Sequence, residues 1–273
     1  MNFIFYTIFN IIIVLLALNA YAYDQNDVDY FLKNGKCHQC DLSKYNFEDS
    51  YLDQSIITES NLSDTNFTNV KIANSTIKLS NFSNAIFIKT DMPTTLIENS
   101  NFSNVNFSEA NLVSSTIINS NFKNSNFNLA KMYGVIAKSS IFDGANITNA
   151  NLQKSLLSYS SFVRTNFYES LLSLSLMDNT NLSYANLSKT KTRGVNFTDA
   201  NMKFSDLSYA SFRRSVFVRA NMKNIKYKGA NFYKSIFTKA DLSTISSDDV
   251  YFKKSILCKT KMLEIIANRD CRN

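Results

Sequence analysis

The sequence predicts an all-β solenoid in which the chain coils through four short sides in each turn. Three regularities predict this fold class. A large apolar residue recurs every five positions from Leu42 to Met262, 45 positions without one insertion, and only Thr192 and Ser247 depart from the apolar rule. A small residue lies two positions before most of these residues. A further class of apolar residues recurs every 20 positions.

The five-residue period excludes both regular alternatives. A helix turns by about 100° per residue, so it would spread these apolar residues around its whole surface. A straight strand alternates its faces, so an odd period would expose every second large residue to water. The pattern is satisfied when the chain turns a corner in each repeat. The small and the large residue, two apart on a strand, then both point inward.

The number of sides per coil follows from the residue just before each large apolar one. In the class that begins at Ile56 and recurs every 20 residues, eight of eleven members are apolar. The equivalent classes that begin at Asp41 and Asn46 contain one apolar residue each, Ile141 and Ile86. A period of 20 residues corresponds to four five-residue sides, which makes the predicted coil four-sided.

Several repeats carry the segment Ala-Asn-Leu or a close variant, as at Ala110–Leu112, Ala150–Leu152, Ala185–Leu187, Ala200–Met202 and Ala240–Leu242. They resemble the consensus Ala-Asp/Asn-Leu-x-x of the pentapeptide-repeat proteins, and the chain is identified as an exported member of that family. The resemblance implies a right-handed quadrilateral β-helix filled by stacked Leu and Phe residues. The residues at the two ends of the repeats predict short helical caps at one or both ends of this β-helix. With ~4.8 Å between stacked strands, about eleven coils would form a rod roughly 50 Å long. We place this solenoid at residues 40–258.

The first 22 residues predict an export signal. They are mostly apolar and end in Ala20-Tyr21-Ala22, a small-x-small pattern, so we expect a signal peptide that is cleaved after Ala22. The protein would then be periplasmic or extracellular. Because the segment contains no Lys or Arg, an uncleaved membrane anchor is the alternative.

Short caps are predicted at both ends of the solenoid. Residues 23–39 predict an N-terminal cap with a short helix, in which Val28, Phe31 and Leu32 share one face and Gly35 ends the helix. Residues 259–273 predict a C-terminal cap helix, because Met262, Ile265 and Ile266 stand at helical spacing.

The four cysteines form two local pairs, Cys37 with Cys40 and Cys258 with Cys271. In an exported protein these pairs predict two disulfides that fasten the caps to the end coils. Two alternatives use Cys37 and Cys40 differently. The spacing of two residues matches redox-active motifs, although no thioredoxin-like pattern surrounds it. Together with His38 the pair also offers three metal ligands, but no fourth is evident.

The sequence does not favour an enzyme. His38 is the one histidine, no Gly-rich phosphate loop is present, and the acidic residues are scattered over outward positions. A narrow interior filled by Phe and Leu leaves no cleft of the size that ligands need. We therefore predict no catalytic residue, no metal site and no cofactor.

Two surface features are candidate interaction sites. The first is the class that begins at Ile56, which would form an apolar row on one side of the rod. It is a candidate for protein binding or self-association, unless its β-branched members only suit the strand conformation. The members of this apolar row are Ile56, Leu96, Ile136, Leu156, Leu176, Val216, Ile236 and Ile256.

The second feature is a basic stripe in the C-terminal half. Residues 1–150 carry 9 basic and 13 acidic residues, a net charge of −4, whereas residues 151–273 carry 20 and 9, a net charge of +11. Part of this excess recurs with the 20-residue period on one side, where it would meet a polyanion or a membrane surface, unless it is only a solvated charged face. The members of this basic stripe are Lys154, Lys191, Arg193, Arg213, Arg214, Lys234, Lys253 and Lys254.

The function that these features favour is a noncatalytic exported scaffold for protein–protein or envelope-surface interaction. The alternatives are a binder of polyanions through the basic half and, from the family resemblance, a DNA mimic. Some quinolone-resistance members of the family resemble B-form DNA in shape and negative charge and bind a topoisomerase. The export signal and the +11 charge of residues 151–273 depart from that pattern. Nucleic acid itself is disfavoured as a partner by the export signal.

Overall fold

The computed structural model describes residues 23–245, 252, 254–263 and 265–271, and the predicted signal peptide lies outside them. Within the described part, no helix is long and apolar enough to cross a bilayer. The described residues form one helix and eight strands, and many isolated bridges extend the strand pairing. The elements are α1 (Gln25–Asn34), β1 (Lys36–His38), β2 (Ile56–Thr58), β3 (Thr76–Lys78), β4 (Leu96–Glu98), β5 (Thr116–Ile118), β6 (Ile136–Lys138), β7 (Leu257–Lys261) and β8 (Ile266–Arg269).

The chain forms a four-sided parallel β-solenoid, as the sequence predicts. Every bridge in the solenoid joins residues that are 20 apart, and the bridges form four separate ladders. We name the four sides by the first residue of each ladder. Face A begins at Asp41, face B at Asn46, face C at Tyr51, and face D at Lys36 and Ile56. Strands β1–β6 all lie on face D, and bridges continue this ladder from Ile136 to Ile256.

The core consists of the five-residue apolar class, stacked coil upon coil. In the N-terminal half, parallel Phe rings form columns behind faces A and B, with neighbouring centroids 4.6 Å apart for Phe67 and Phe87 and 5.1 Å apart for Phe102 and Phe122. In the C-terminal half the Phe columns lie behind faces C and D instead, as in the pair Phe217 and Phe237 at 4.8 Å. Thr192, the polar exception, is buried and its hydroxyl donates to the Ser211 carbonyl over 2.8 Å.

Each corner of the solenoid requires a left-handed residue. Every fifth residue from Gln39 to Lys239 has a φ between 50° and 70°. At most corners this residue is the third of a type II turn, closed by a bond such as that from the Ala110 amide to the Phe107 carbonyl, 3.1 Å. Asn tolerates this conformation better than most residues, which accounts for its frequency at the corners.

The corner between faces D and A changes its turn along the rod. From Ser60 to Ser140 the small corner residue is serine, and its amide donates to the Ser Oγ of the next coil, as from Ser80 to Ser100 over 3.2 Å. Where alanine replaces serine, the amide bonds within its own turn, as from Ala200 to the Phe197 carbonyl over 3.0 Å. The serine ladder therefore coincides with the coils in which face D forms three-residue strands.

The N-terminal cap is the predicted helix. Asp24 accepts a bond from the Asn26 amide at the start of α1, and Gly35, at a φ of 65°, ends it. Val28 and Phe31 are buried against the first coil, whereas Leu32, which the helical spacing places on the same face, is 45% exposed. Without a cap, the end coil of a solenoid would expose its hydrophobic core and its unpaired backbone edge. This helix therefore shields the first coil from water and from strand pairing with another chain.

The C-terminal cap is a β-hairpin, and the prediction of a helix at residues 259–273 is wrong. Strand β7 continues the solenoid, and β8 pairs with it in antiparallel register. Met262 belongs to the five-residue core class and is buried, while Ile265 and Ile266 are exposed, so their helical spacing is coincidental. Arg269 donates to the Phe252 carbonyl over 2.6 Å and thereby caps the last coil.

Candidate functional surfaces

The basic stripe lies on face C and on its corner with face D. Lys191 is in the face C ladder, between Leu171 and Ser211. The other described members follow the ladder positions by two or three residues, which places them beside the ladder or at the corner. All seven described members are exposed, and Lys253 lies outside the described residues. The 20-residue period therefore brings cations that are distant in sequence onto one side.

Among the residues that the structure describes, no carboxylate lies beside these cations. On face C and its corner with face D, the described residues from 151 to 254 include no Asp or Glu. None of the seven described members belongs to an ion pair in the described part of the chain. The seven described members of the basic stripe therefore form a positively charged surface without ion pairs.

Three cations elsewhere in the C-terminal half form ion pairs with a carboxylate one coil away. Arg219 donates through Nε to Asp199 over 2.6 Å, and this hydrogen bond holds the pKa of Asp199 below its ordinary value of 3.8. Lys189 lies 3.5 Å from the Glu169 carboxylate, and Lys223 lies 3.4 Å from that of Asp241. These pairs show that the coil spacing readily brings opposite charges together where the sequence supplies both.

Two tyrosines make cation–π contacts with members of the basic stripe, and the sequence reasoning did not predict them. The Tyr233 ring is 5.4 Å from Arg213, 5.4 Å from Lys234 and 5.6 Å from Lys254, measured to the ring centroid. Tyr133 stands in the same relation to Lys154, at 5.4 Å. Such contacts attract a cation by roughly 0.5–1 kcal/mol at exposed sites. The sequence could have indicated them, because both tyrosines stand directly before a corner position of the same side in the 20-residue period.

A second exposed aromatic group lies at the corner between faces A and B. The Tyr184 and Phe204 rings stack with centroids 4.9 Å apart, and Arg164 lies 5.3 Å from the Tyr184 centroid. Tyr184 and Phe204 are both about half exposed. Large aromatic side chains at left-handed corners are not part of the repeat template, so the five-residue pattern gave no reason to select them.

The apolar row forms one continuous ladder on face D, as its period predicts. The ladder runs from Ile56 to Ile256 and includes Thr76, Thr116 and Asn196 as polar interruptions. Ile56 and Leu176 are 43% and 40% exposed, and the remaining six members are half-buried. The row is thus a narrow apolar line and not a broad hydrophobic face.

The cysteines are joined as two local disulfides, Cys37 with Cys40 and Cys258 with Cys271. Cys37 and Cys40 are 2% and 6% exposed and lie under the N-terminal cap. The disulfide uses both thiols that a metal site at Cys37, His38 and Cys40 would need. His38 Nδ1 instead lies 3.0 Å from the Thr58 hydroxyl.

Two shallow grooves open on the outer surface. The first, of about 530 Å³, follows the corner between faces D and A beside Glu59, Leu79 and Asn99. The second, of about 540 Å³, crosses the corner between faces B and C and includes the ion pair of Lys89 and Glu109. Both are open to solvent, and neither contains the basic stripe.

Comparison with known proteins gives a family match. The sequence profile described as pentapeptide repeats matches eight copies within residues 36–74, 95–128, 142–173, 160–199, 180–217 and 196–226, which together cover more than half of the chain. No curated protein sequence matches the chain.

Solved structures with a similar fold include HetL, a pentapeptide repeat protein involved in heterocyst differentiation regulation from the cyanobacterium Nostoc sp. It is 16% identical, with 88% of this chain and 98% of HetL covered and a TM-score of 0.43. Full-length QnrB1, a plasmid-mediated fluoroquinolone resistance protein, is 16% identical over 83% of this chain and 93% of its own, with a TM-score of 0.34. A pentapeptide repeat protein from the Arabidopsis thaliana thylakoid lumen is 23% identical over 44% and 76%, with a TM-score of 0.25.

Proposed function

We propose that this chain, which belongs to the pentapeptide-repeat family, is an exported, noncatalytic scaffold that docks on a polyanionic partner through the basic stripe. One observation carries the proposal. Seven exposed cations share one side of the C-terminal half, and no carboxylate of the described residues lies among them or pairs with them.

The electrostatic cost of this arrangement supports a ligand of opposite charge. Like charges a few ångströms apart repel by up to about 1 kcal/mol per pair in water. Arg213, Lys234 and Lys254 surround one ring, so their mutual repulsion persists in the free protein. A polyanion that spans several coils relieves this repulsion and releases its own counterions, which is favourable at low salt.

Export is the cellular context that best suits the chemistry of the chain. The apolar segment at residues 1–22 with Ala20-Tyr21-Ala22 has the pattern of a secretory signal. Two disulfides and no free cysteine among the described residues fit an oxidising compartment, where disulfides form and persist. A polyanion of the cell envelope or of the extracellular space is then the accessible partner.

The other candidate functions fit the surface less well. A DNA-mimicking topoisomerase binder needs a negative surface, whereas residues 151–273 carry a net charge of +11. Self-association through the apolar row would rest on a line of mostly half-buried side chains that Asn196 interrupts. Neither alternative uses the uncompensated cations of face C.

The proposal is tested with heparin, a soluble polyanion, in a fluorescence anisotropy titration at low and at physiological salt. We expect binding that weakens as salt rises. The triple variant Arg193→Glu, Arg213→Glu, Arg214→Glu should weaken binding by at least about tenfold, because it replaces three of the seven described stripe cations by anions.

A matched control separates the basic stripe from net charge. The triple variant Lys203→Glu, Lys226→Glu, Lys228→Glu changes the net charge equally in the same half, but these residues lie on faces A and B. We expect it to weaken heparin binding far less than the stripe variant. Equal losses in the two variants, or no heparin binding by the wild-type protein, would contradict a specific polyanion face.

A further inference from the structure

The last coils of face D present an apolar line that is continuous. Val216 is bridged to Ile236, and Ile236 to Ile256, so three apolar side chains stand side by side on successive coils. With ~4.8 Å between coils, this line extends for about 10 Å along the rod. Val218, two residues further on the same face, is also half-buried and adds to its apolar surface.

Cations border this line on both sides. At the corner between faces C and D stand Arg214, Lys234 and Lys254, each two residues before a member of the line. At the corner between faces D and A stand Arg219, Lys239 and Lys259, each three residues after a member of the line. All six are exposed, and only Arg219 belongs to an ion pair among the described residues.

The N-terminal half of the same apolar row lacks these borders. Beside Ile56 the two corner residues are Gln54 and Glu59, and beside Leu96 they are Thr94 and Asn99. The apolar row is therefore common to the whole rod, whereas its combination with two rows of cations occurs only in the last coils.

We propose that face D of the last three coils, with its two cationic corners, binds the surface of an anionic lipid bilayer. This inference rests on the proposed function, because it identifies the polyanion as a membrane. Long Lys and Arg side chains lay their methylene stems against apolar surface and extend their charges to the headgroups. The apolar line then enters the boundary between headgroups and acyl chains. A soluble polyanion would engage the cations but would gain nothing from Val216, Ile236 and Ile256.

The test compares vesicles with heparin. The purified protein is sedimented with vesicles of equimolar phosphatidylglycerol and phosphatidylcholine, and with vesicles of phosphatidylcholine alone. The double variant Ile236→Asn, Ile256→Asn keeps every charge and places at both positions the residue that Asn196 already supplies in the same ladder. The matched control, Ile56→Asn with Leu96→Asn, makes the same change in the same row where the cationic borders are missing.

We expect wild-type protein to sediment with the anionic vesicles and not with the neutral ones. The Ile236→Asn, Ile256→Asn variant should lose about fivefold in vesicle affinity, since apolar insertion adds to electrostatic attraction at the interface. It should bind heparin as the wild type does, and the control variant should match the wild type in both assays. Far-UV circular dichroism and melting confirm that each variant is folded.

Three results would overturn the inference. Vesicle binding that is unchanged in the Ile236→Asn, Ile256→Asn variant would mean that the apolar line takes no part. Heparin binding without vesicle binding would reject the membrane and leave the proposed polyanion function standing. Failure to bind either ligand would reject both.

Discussion

Phe122 provides the most direct test of the stacked core. Its side chain is fully buried, and its ring lies parallel to those of Phe102 and Phe142 with both centroid distances 5.1 Å. Replacing a buried Phe by Ala costs about 3–5 kcal/mol through lost burial and the cavity that remains. Two stacked contacts add about 0.5–1.5 kcal/mol each. We therefore expect Phe122→Ala to lower the free energy of unfolding by about 5 kcal/mol.

A graded series distinguishes the shape of the site from its polarity. Leu182 and Leu62 occupy the same column of the core, so Phe122→Leu keeps an apolar residue that the column already accepts, and it should cost about 1 kcal/mol. Phe122→Asp buries an unpaired charge and should unfold the surrounding coils. The order of destabilisation is therefore Leu, then Ala, then Asp.

The measurement is urea denaturation followed by far-UV circular dichroism, with amide hydrogen exchange to locate the effect. Each coil of a solenoid contacts only its neighbours, so exchange should accelerate first near Phe102 and Phe142. The exposed aromatic Tyr184 is the control, and Tyr184→Ala should cost less than about 1 kcal/mol. A folded Phe122→Ala protein within about 1 kcal/mol of the wild type would refute the stacked-core reasoning.

Two further predictions concern the corners. Gly229 and Gly134 have φ values of 69° and 67°, so Ala at either site should cost about 1 kcal/mol. Gly229→Ala should lower the melting temperature more, because its Cβ would lie 2.6 Å from the Tyr209 ring, and equal losses would contradict that contact. The second prediction concerns the pH dependence of the ion pair between the corner residues Asp199 and Arg219. Because Arg219 lowers the pKa of Asp199, their pairing stabilises the fold above the ordinary Asp pKa of 3.8 and is lost as pH falls through the lowered value. Melting temperatures of Asp199→Asn should therefore decline less with acidification, and parallel pH curves would contradict the pairing.

The solenoid could be predicted because its rule is local and repeated. Each large apolar residue from Leu42 onward carries the same information about the inside of the coil, and Thr192 is tolerated because its hydroxyl finds a carbonyl of the next coil. The 20-residue period likewise predicts, from the sequence alone, that the members of the apolar row lie on one face. A repeat of this kind turns sequence distance directly into position on the surface.

The ends of the rod could be predicted only in part. The N-terminal helix has its own start and stop signals at Asp24 and Gly35, and these are read from neighbouring residues. The C-terminal hairpin depends on pairing between Leu257 and Arg269 and on the disulfide of Cys258 with Cys271. Contacts between the two strands of a hairpin produce no periodic pattern in the sequence. The helical spacing of Met262, Ile265 and Ile266 therefore predicted a helix, which the described residues do not form.

In this fold the inward and the outward positions are under different structural constraints. The composition of the basic stripe is therefore evidence about binding and not about stacking. The inward positions must repeat for the coils to stack, whereas an outward position such as 213 or 234 can change without disturbing the core. A cation at one outward position is therefore expected by chance. Stacking does not require cations on one side in most of the last coils, several of them gathered around Tyr233. Nor does it require that the described residues of this side from 151 to 254 include no carboxylate. Binding of an anionic surface would relieve the repulsion between these cations, and this supports the proposed polyanionic partner.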